Sequence, residues 1–502
     1  MPAFPNDLTN TLTDLVDALL ARTDAPGIGL SVFTADSILL ERGFGRRDRE
    51  SYLPVTPATI FGVASITKSL TALTTLRLRA RGLVDLGDPV TRYLDFGSLW
   101  RDGPAATLAH FLSHTSGLPA TPTMTWLRHA SQLEDPVTAG PALAEAKLTL
   151  APGTIGMPPA DGPLGLDAVD AAAAAMEDGA ALDRLAALAA EVGSFEGMAG
   201  WLGRNARPLA APGELYSYSN DAFCLVGGIL EGVAGAPFAA LAEREVLGPL
   251  GMRRSRFDLE GVLADADHAT LYARDATGAV RRSPAWETTG VMQGGGMLKS
   301  TLQDLRAYVR HLLAGGPAVA EMTRPRADSA PGAAYGLGLS VVRDYHGLTI
   351  VKHGGSLKGV SSAIGFVPEL GVGVVVLCNL AGVPAEQLLV DVVNACAGLP
   401  LGGSPYAPEP GVAADHAAAE HADLIGEYLS GEPYGRLRLL ADTDGGLRVV
   451  AGWPEAELPA FLAGPDEVAV TYPDGRRSAV RFLRDEAGKV WSAQAGRVML
   501  RL

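Results

Sequence analysis

Hydrophobic and polar positions alternate with a period of two from Gly27 to Gly45, in "GIGLSVFTADSILLERGFG", on either side of a polar turn. That spacing predicts a hairpin of two strands. The period then changes: from about Ser65 the apolar positions Leu70, Leu73 and Leu76 recur at helical spacing, with Gly82 at the far end as a stop and Pro89 restarting the chain. From Thr121 to Gly200 the chain turns Pro-rich and then Ala-rich, and "AVDAAAAAMEDGAALDRLAALAAEVG" is strongly helical by propensity, which predicts a helical insertion over about 121–200. Further helices are expected over Asp221–Gly235 and from Ser300 or Thr301, where a hydroxyl can cap and Asp304 adds charge to the first turn. Two strand candidates follow, Leu337–Val351 and Ala363–Cys378.

Strands at both ends with helices between them predict one α/β unit, an antiparallel sheet closed by its N- and C-terminal strands and flanked by helices. Pro, Gly and Ala dominate Leu399–Asp423, so the domain is expected over 1–405 and a linker over 406–420. Beyond it, over 421–502, short alternating segments separated by DG and GG turns predict a small antiparallel β-barrel or sandwich.

Composition narrows the function. The formal net charge of -15 disfavours a nucleic-acid partner, because affinity for a phosphate backbone rests on clustered Lys and Arg. No apolar run is long enough to predict a membrane span. The first twenty residues show no basic segment followed by an apolar core and a cleavage site, so a cytoplasmic protein is expected, or a periplasmic or secreted one if Met1 already marks a mature end. Cys224, Cys378 and Cys396 are odd in number and sit in apolar runs, which reads as buried free thiols.

Three short stretches carry candidate chemistry. "SITK" sets Ser65 and Lys68 at i, i+3, one face of a helix, within reach of each other. Burial and the positive end of the helix would disfavour the ammonium, leaving an amine that can take the proton a serine hydroxyl must lose to attack. On its own the pattern is as well explained by a helix cap and a surface lysine, but it is the only Ser-x-x-Lys in the chain. "YSN" places Tyr218 and Asn220 before an apolar helix: a phenol can relay a proton, and an amide can hold a carbonyl or the lysine, though a plain N-cap reads the same. "HGG", His353, Gly354 and Gly355, closes a strand candidate; its glycines admit a ligand close to the backbone, and the following amide of Ser356 can donate to an oxyanion. His110 and His114 stand at i, i+4 with no carboxylate partner, and read as core or turn histidines rather than metal ligands. A G-x-S-x-G elbow is missing, and "QGGGMLKS" lacks the glycine before lysine that a phosphate loop needs.

Together and in this order, "SITK", "YSN" and "HGG" resemble the motifs of the penicillin-recognising serine hydrolases, on the branch of class C β-lactamases, D-Ala-D-Ala carboxypeptidases, D-aminopeptidases and esterases. The likeness extends through "LSHTSGLP", "APGELYSYSNDAFCLVGGILEGVAG" and "GGGMLKSTLQDLRAYVRHLL". It implies a β-lactamase-like α/β domain with an all-helical subdomain, a groove between them, and no metal or cofactor. It further implies Ser65 as the acylated nucleophile, Lys68 and Tyr218 sharing base and acid roles, Asn220 on Lys68 and the substrate amide, and an oxyanion hole from the amides of Ser65 and Ser356. His353 stands where lactamases usually have lysine, which removes a cation for a substrate carboxylate and favours a peptidase, D-amino-acid amidase or esterase over a β-lactamase. Acyl transfer on the same scaffold, or a non-catalytic receptor for cell-wall fragments, are the alternatives. The resemblance also suggests a lipocalin-like barrel over 421–502 and possible homo-oligomers acting on a small-molecule or peptide substrate.

Overall fold

The structure, a computed structural model, describes residues 4–151, 165–406, 418–432, 435–441, 446–452, 455–473 and 476–502. Its centre is a nine-stranded antiparallel sheet in which Gly27–Thr34 pairs with Ile38–Asp48 on one side and with Val372–Cys378 on the other. The expected closure of the N-terminal hairpin by C-terminal strands is therefore present, with Leu30 opposite Val376 and Val32 opposite Val374.

Both faces of the sheet are covered, which explains why its middle strands are buried at every position. Ile28, Leu30, Val32, Val374 and Val376 point into one core, against the helices Leu8–Thr23 and Ala385–Ala397. Phe33, Val375 and Leu377 point into the other, against the helix Leu302–Ala314, capped as expected by Thr301 Oγ1 accepting from the Asp304 amide.

That second core continues into the helical subdomain. Its axis is the helix Thr67–Ala80, buried almost throughout, which packs with Asn220–Ala234 and the short turn Gln293–Gly296. Glycines set the approach: a Cβ on Gly227 would lie 3.2 Å from the Gly294 Cα, and one on Gly295 would lie 2.8 Å from Cys224 Sγ. The predicted insertion over 121–200 forms the helices Thr123–Leu133, Ala139–Leu150, Leu166–Ala175, Asp178–Glu191 and the start of Phe195–Asn205, with residues 152–164 outside the described part. Trp126 and Trp201 meet edge to face at its base.

Eight strands from Gly426 to Arg501 close into a barrel, the first pairing with the last through Leu429 and Leu500. Tyr428, Leu439, Val470, Phe482 and Met499 fill its interior, so it is a packed core rather than a ligand chamber. Most of the expected linker, 406–420, lies outside the described residues. The three cysteines are buried and unpaired. Among the described residues no single helix is long and apolar enough to cross a membrane.

Two expectations need correction. The segment Leu337–Val351 is not one strand: it breaks into Ser340–Tyr345 and Leu348–Leu357, turned at His346 and Gly347, both with positive φ. "HGG" consequently does not end a strand but lies inside Leu348–Leu357. Paired glycines disfavour strand when read locally, yet here a neighbouring turn presses on the second, Gly355, and admits nothing larger.

Candidate active site

Ser65 does not open an α-helix directly. It sits in a 3-10 turn, Ala64–Ile66, that feeds the helix Thr67–Ala80. Ala64 has φ +47°, a left-handed conformation that costs an alanine roughly 1–2 kcal/mol. Four contacts hold the turn: Val63 N donates to Leu298 O (3.1 Å), Ser362 Oγ to Val63 O (2.8 Å), Thr67 Oγ1 to Ala64 O (2.7 Å) and Leu298 N to Thr67 Oγ1 (3.3 Å). Sheet and helix together thus present the serine side chain to a cleft.

Lys68 follows one turn later with no solvent exposure. Its Nζ lies 3.0 Å from Ser65 Oγ, 2.9 Å from Asn220 Oδ1 and 2.6 Å from Gly295 O. A buried amine with three polar neighbours has no unmet hydrogen bond. The Tyr218 ring centroid is 5.1 Å from the same nitrogen. Ser219 caps the Asn220–Ala234 helix by accepting from the Ala222 amide, so the N-cap reading of "YSN" holds, and the same turn brings Asn220 Oδ1 to Lys68.

Behind Tyr218 stands His114, its ring centroid 4.1 Å away. Its Nδ1 accepts from Ser219 N at 3.1 Å, and burial, followed by the Lys68 charge, holds its pKa well below the usual histidine value. His110 instead closes a capping box with Thr107. Both are the core and turn residues the sequence suggests.

His353 is buried too, and its pKa is pushed down to about 4, by desolvation first and then by Lys68. Its Nδ1 is 2.6 Å from Gly354 O and its Nε2 is 2.8 Å from the Tyr335 hydroxyl. A carbonyl only accepts, so in the neutral ring Nδ1 carries the hydrogen and Nε2 accepts from Tyr335. The adjacent Lys352 is no substitute cation, since it is ion-paired with Glu386.

Neutral His353 has a measurable consequence. In the unfolded chain a histidine titrates near 6.5, whereas the folded one takes its proton only at about 4. Between these values the unfolded chain binds more protons, so this contribution to stability is complete above pH 6.5 and is lost as pH falls towards 4. Asp221, raised to about 6 by burial, acts with the opposite sign. Urea midpoints at pH 7 and pH 5 should therefore fall more for the wild type than for His353→Asn; equal losses would contradict the assignment.

The strand Leu348–Leu357 completes the site. Its pairing with Ser340–Tyr345 stops at Lys352, so that edge is unladdered from His353 to Leu357. A Cβ on Gly355 would meet Val63 O at 2.4 Å and Ala64 Cβ at 3.0 Å, which sets this edge directly beside the Ser65 turn. Ser356, next along, is exposed. Ser65, Tyr218, Asn220, His353 and Gly354–Ser356 all line one cavity of about 920 Å³.

The Beta-lactamase family description matches residues 12–155 and 171–396. The chain belongs to the Beta-lactamase family. Its fold is that of the penicillin-recognising serine hydrolases. Among curated relatives it is 48% identical to esterase EstB of Burkholderia gladioli over 84 residues, 16% of this chain and 21% of that protein. It is 26% identical to the D-aminopeptidase of Gluconobacter oxydans over 430 residues, 83% of this chain and 65% of that one. The chain therefore spans about a fifth of the first relative's length and just under two thirds of the second's. The octameric penicillin-binding protein homologue from Pyrococcus abyssi superposes with a TM-score of 0.62 at 24% identity, covering 98% of this chain and 100% of that one. The family and the esterase and D-aminopeptidase relatives support a hydrolase.

In this Beta-lactamase family member the cleft also contains residues that sequence reading overlooked: Tyr335, Lys352, Glu386 and, from the barrel, Glu432 and Arg497. The barrel pair has no local signal, because each is separated from Tyr218 and Asn220, the side chains it meets, by more than two hundred residues of chain. "KHGG" did set Lys352 beside His353, but only the fold shows that its charge is already taken by Glu386.

Proposed function

We propose that this chain is a serine hydrolase that works through an acyl-enzyme on amide or ester substrates. The observation that carries the reading is the buried Lys68 amine held between Ser65 Oγ, Asn220 Oδ1 and Gly295 O. Two of these neighbours only accept, so in the amine form that the reaction requires Nζ gives its two N–H groups to them and its lone pair faces the serine hydroxyl. Ser65 Oγ attacks the carbonyl carbon as its proton passes to Nζ, giving a tetrahedral oxyanion. The amides of Ser65 and Ser356 donate to that oxygen, Gly354 and Gly355 letting the strand edge approach. Collapse breaks the bond to the amine or alcohol, which leaves with a proton from Lys68 through Tyr218. Water then repeats the sequence on the acyl-enzyme, releasing the acid and restoring the hydroxyl.

Substrate class follows from charge. With His353 neutral and Lys352 paired to Glu386, the position where lactamases hold a substrate carboxylate offers no free cation. Peptidase, D-amino-acid amidase or esterase activity fits this better than lactam hydrolysis, and the esterase and D-aminopeptidase relatives support the same choice.

A fluorophosphonate probe tests the reading. Intact mass should show one adduct per chain, peptide mapping should place it on Ser65, and Ser65→Ala should not label. A folded wild-type protein that neither labels nor turns over p-nitrophenyl esters and D-amino-acid p-nitroanilides would overturn it.

A further inference from the structure

The barrel touches the site through two side chains the motifs do not include. Its last hairpin, the strands Val490–Ala495 and Arg497–Arg501 turned at Gly496 with φ +73°, lies along the segment before the Asn220 helix. Tyr218 N donates to Gly496 O (3.0 Å), Gln494 Nε2 to Tyr216 O (2.6 Å) and Val498 N to Ser217 Oγ (3.4 Å). The backbone of Tyr216–Tyr218, which belongs to no strand of its own, is thus seated on the barrel. On the same side, Gly431 N donates to Ala120 O at 3.1 Å, and no larger residue fits there because a Cβ would lie 2.5 Å from that oxygen. This contact delivers Glu432 to the cleft.

From these anchors the side chains form a ring. Asn220 Nδ2 donates to Glu432 Oε1 at 3.4 Å, Glu432 Oε2 lies 2.5 Å from Arg497 Nε, and the Arg497 guanidinium stacks 4.9 Å from the Tyr218 ring centroid. Asn220 Oδ1 and the Tyr218 ring both face Lys68, which closes the circuit. A carboxylate only accepts, so it selects one of the two orientations of the Asn220 amide. Only with Nδ2 towards Glu432 does Oδ1 face the lysine.

We propose that Glu432 and Arg497 are positioning residues of the catalytic centre: the barrel orients the Asn220 amide and the Tyr218 ring around Lys68. The proposal rests on the serine-hydrolase reading above. The ion pair is largely shielded, with side-chain exposures of 11% for Glu432 and 30% for Arg497, and the ring contact adds a cation–π attraction. Neither residue needs to touch the reacting atoms. Removing one should raise the barrier to acylation while leaving the binding of a small substrate alone.

The test uses the full chain and p-nitrophenyl acetate, whose acyl group is too small to need barrel contacts. Glu432→Gln, which keeps the shape but can present an amide hydrogen to Asn220, should lower kcat about tenfold, as should Arg497→Met, with KM changed less than about twofold. Arg497→Lys, which keeps the charge, should recover most of the loss. The double variant Glu432→Gln/Arg497→Met should be no worse than either single one, because the two act as one unit. Arg438→Ala serves as the structural control: it breaks barrel ion pairs with Asp167, Glu427 and Glu455 away from the cleft and should leave kcat unchanged. The proposal is overturned if Glu432→Gln and Arg497→Met keep wild-type kcat, if their loss lies wholly in KM, or if Arg438→Ala loses as much. Fluorophosphonate labelling of the wild type at Ser65 separates the two failures: without labelling the serine-hydrolase reading fails, whereas labelling with unaffected variants sinks the positioning role alone.

Discussion

Ser65→Ala and Lys68→Met should each lower kcat for a p-nitrophenyl ester by about a thousandfold or more, and the double variant should be little worse than either. The non-additivity is the informative part. In the proposed chemistry the hydroxyl and the amine act in one proton transfer, so deleting either removes the whole step. The geometry supports this coupling, since Ser65 Oγ is 3.0 Å from an Nζ whose other two partners only accept and have no proton to give it. Methionine suits position 68 because the site is fully buried among Tyr218, Phe223 and the glycine turn, so the variant retains apolar volume where alanine would leave a cavity. Steady-state kinetics with matched urea midpoints checks the prediction. If Lys68→Met retains more than about a tenth of wild-type kcat, the amine is not the base.

Gly355→Ala carries the second large effect. A single methyl there would sit 2.4 Å from Val63 O and 2.4 Å from Ser362 Oγ, and Ser362 Oγ is the group that donates to Val63 O. The strand and the Ser65 turn would have to part, and that hydrogen bond would be disturbed. Overpacking of this kind costs about 1–3 kcal/mol of stability. The larger loss should be catalytic, about a hundredfold in kcat, because in the proposed chemistry the Ser65 and Ser356 amides must keep their spacing to within a fraction of an ångström to share one oxyanion. Gly354→Ala is a useful comparison, since its Cβ would meet Glu386 Oε1 instead, the end of a flexible and half-exposed side chain that can move aside. Equal kcat losses in the two variants would show that the contact with Val63 is not what matters.

The elements and the motif serines were legible because their signals are local. Strict alternation over Gly27–Gly45 reports a strand pair whatever else the chain does, and the serine before "NDAFCLVGG" caps a helix within four residues. Ser65 and Lys68 are one turn apart, so their contact needs only the turn and helix to form. The strand through His353 was misread at its end for the converse reason. Two glycines weaken any local strand signal, and what requires the second, the oxygen of Val63 against Gly355, is almost three hundred residues away in sequence. The positive φ of Ala64 was equally hidden, because alanine has no preference for that conformation and only surrounding hydrogen bonds impose it.

What the amino-acid order determined unaided was the N-terminal hairpin and the main helices, a sheet joining strands from both ends of the first domain, a separate β-rich C-terminal unit, and a serine with a lysine one turn apart. Tertiary structure alone decided that the lysine meets Asn220 and Gly295 O, that Glu386 neutralises Lys352, and that Glu432 and Arg497 reach Tyr218 and Asn220 from the barrel. The physical reason is range. Periodicity and capping are energies between residues a few positions apart, whereas the polar partners of a buried group are chosen by which distant segments the packed core brings within three or four ångströms.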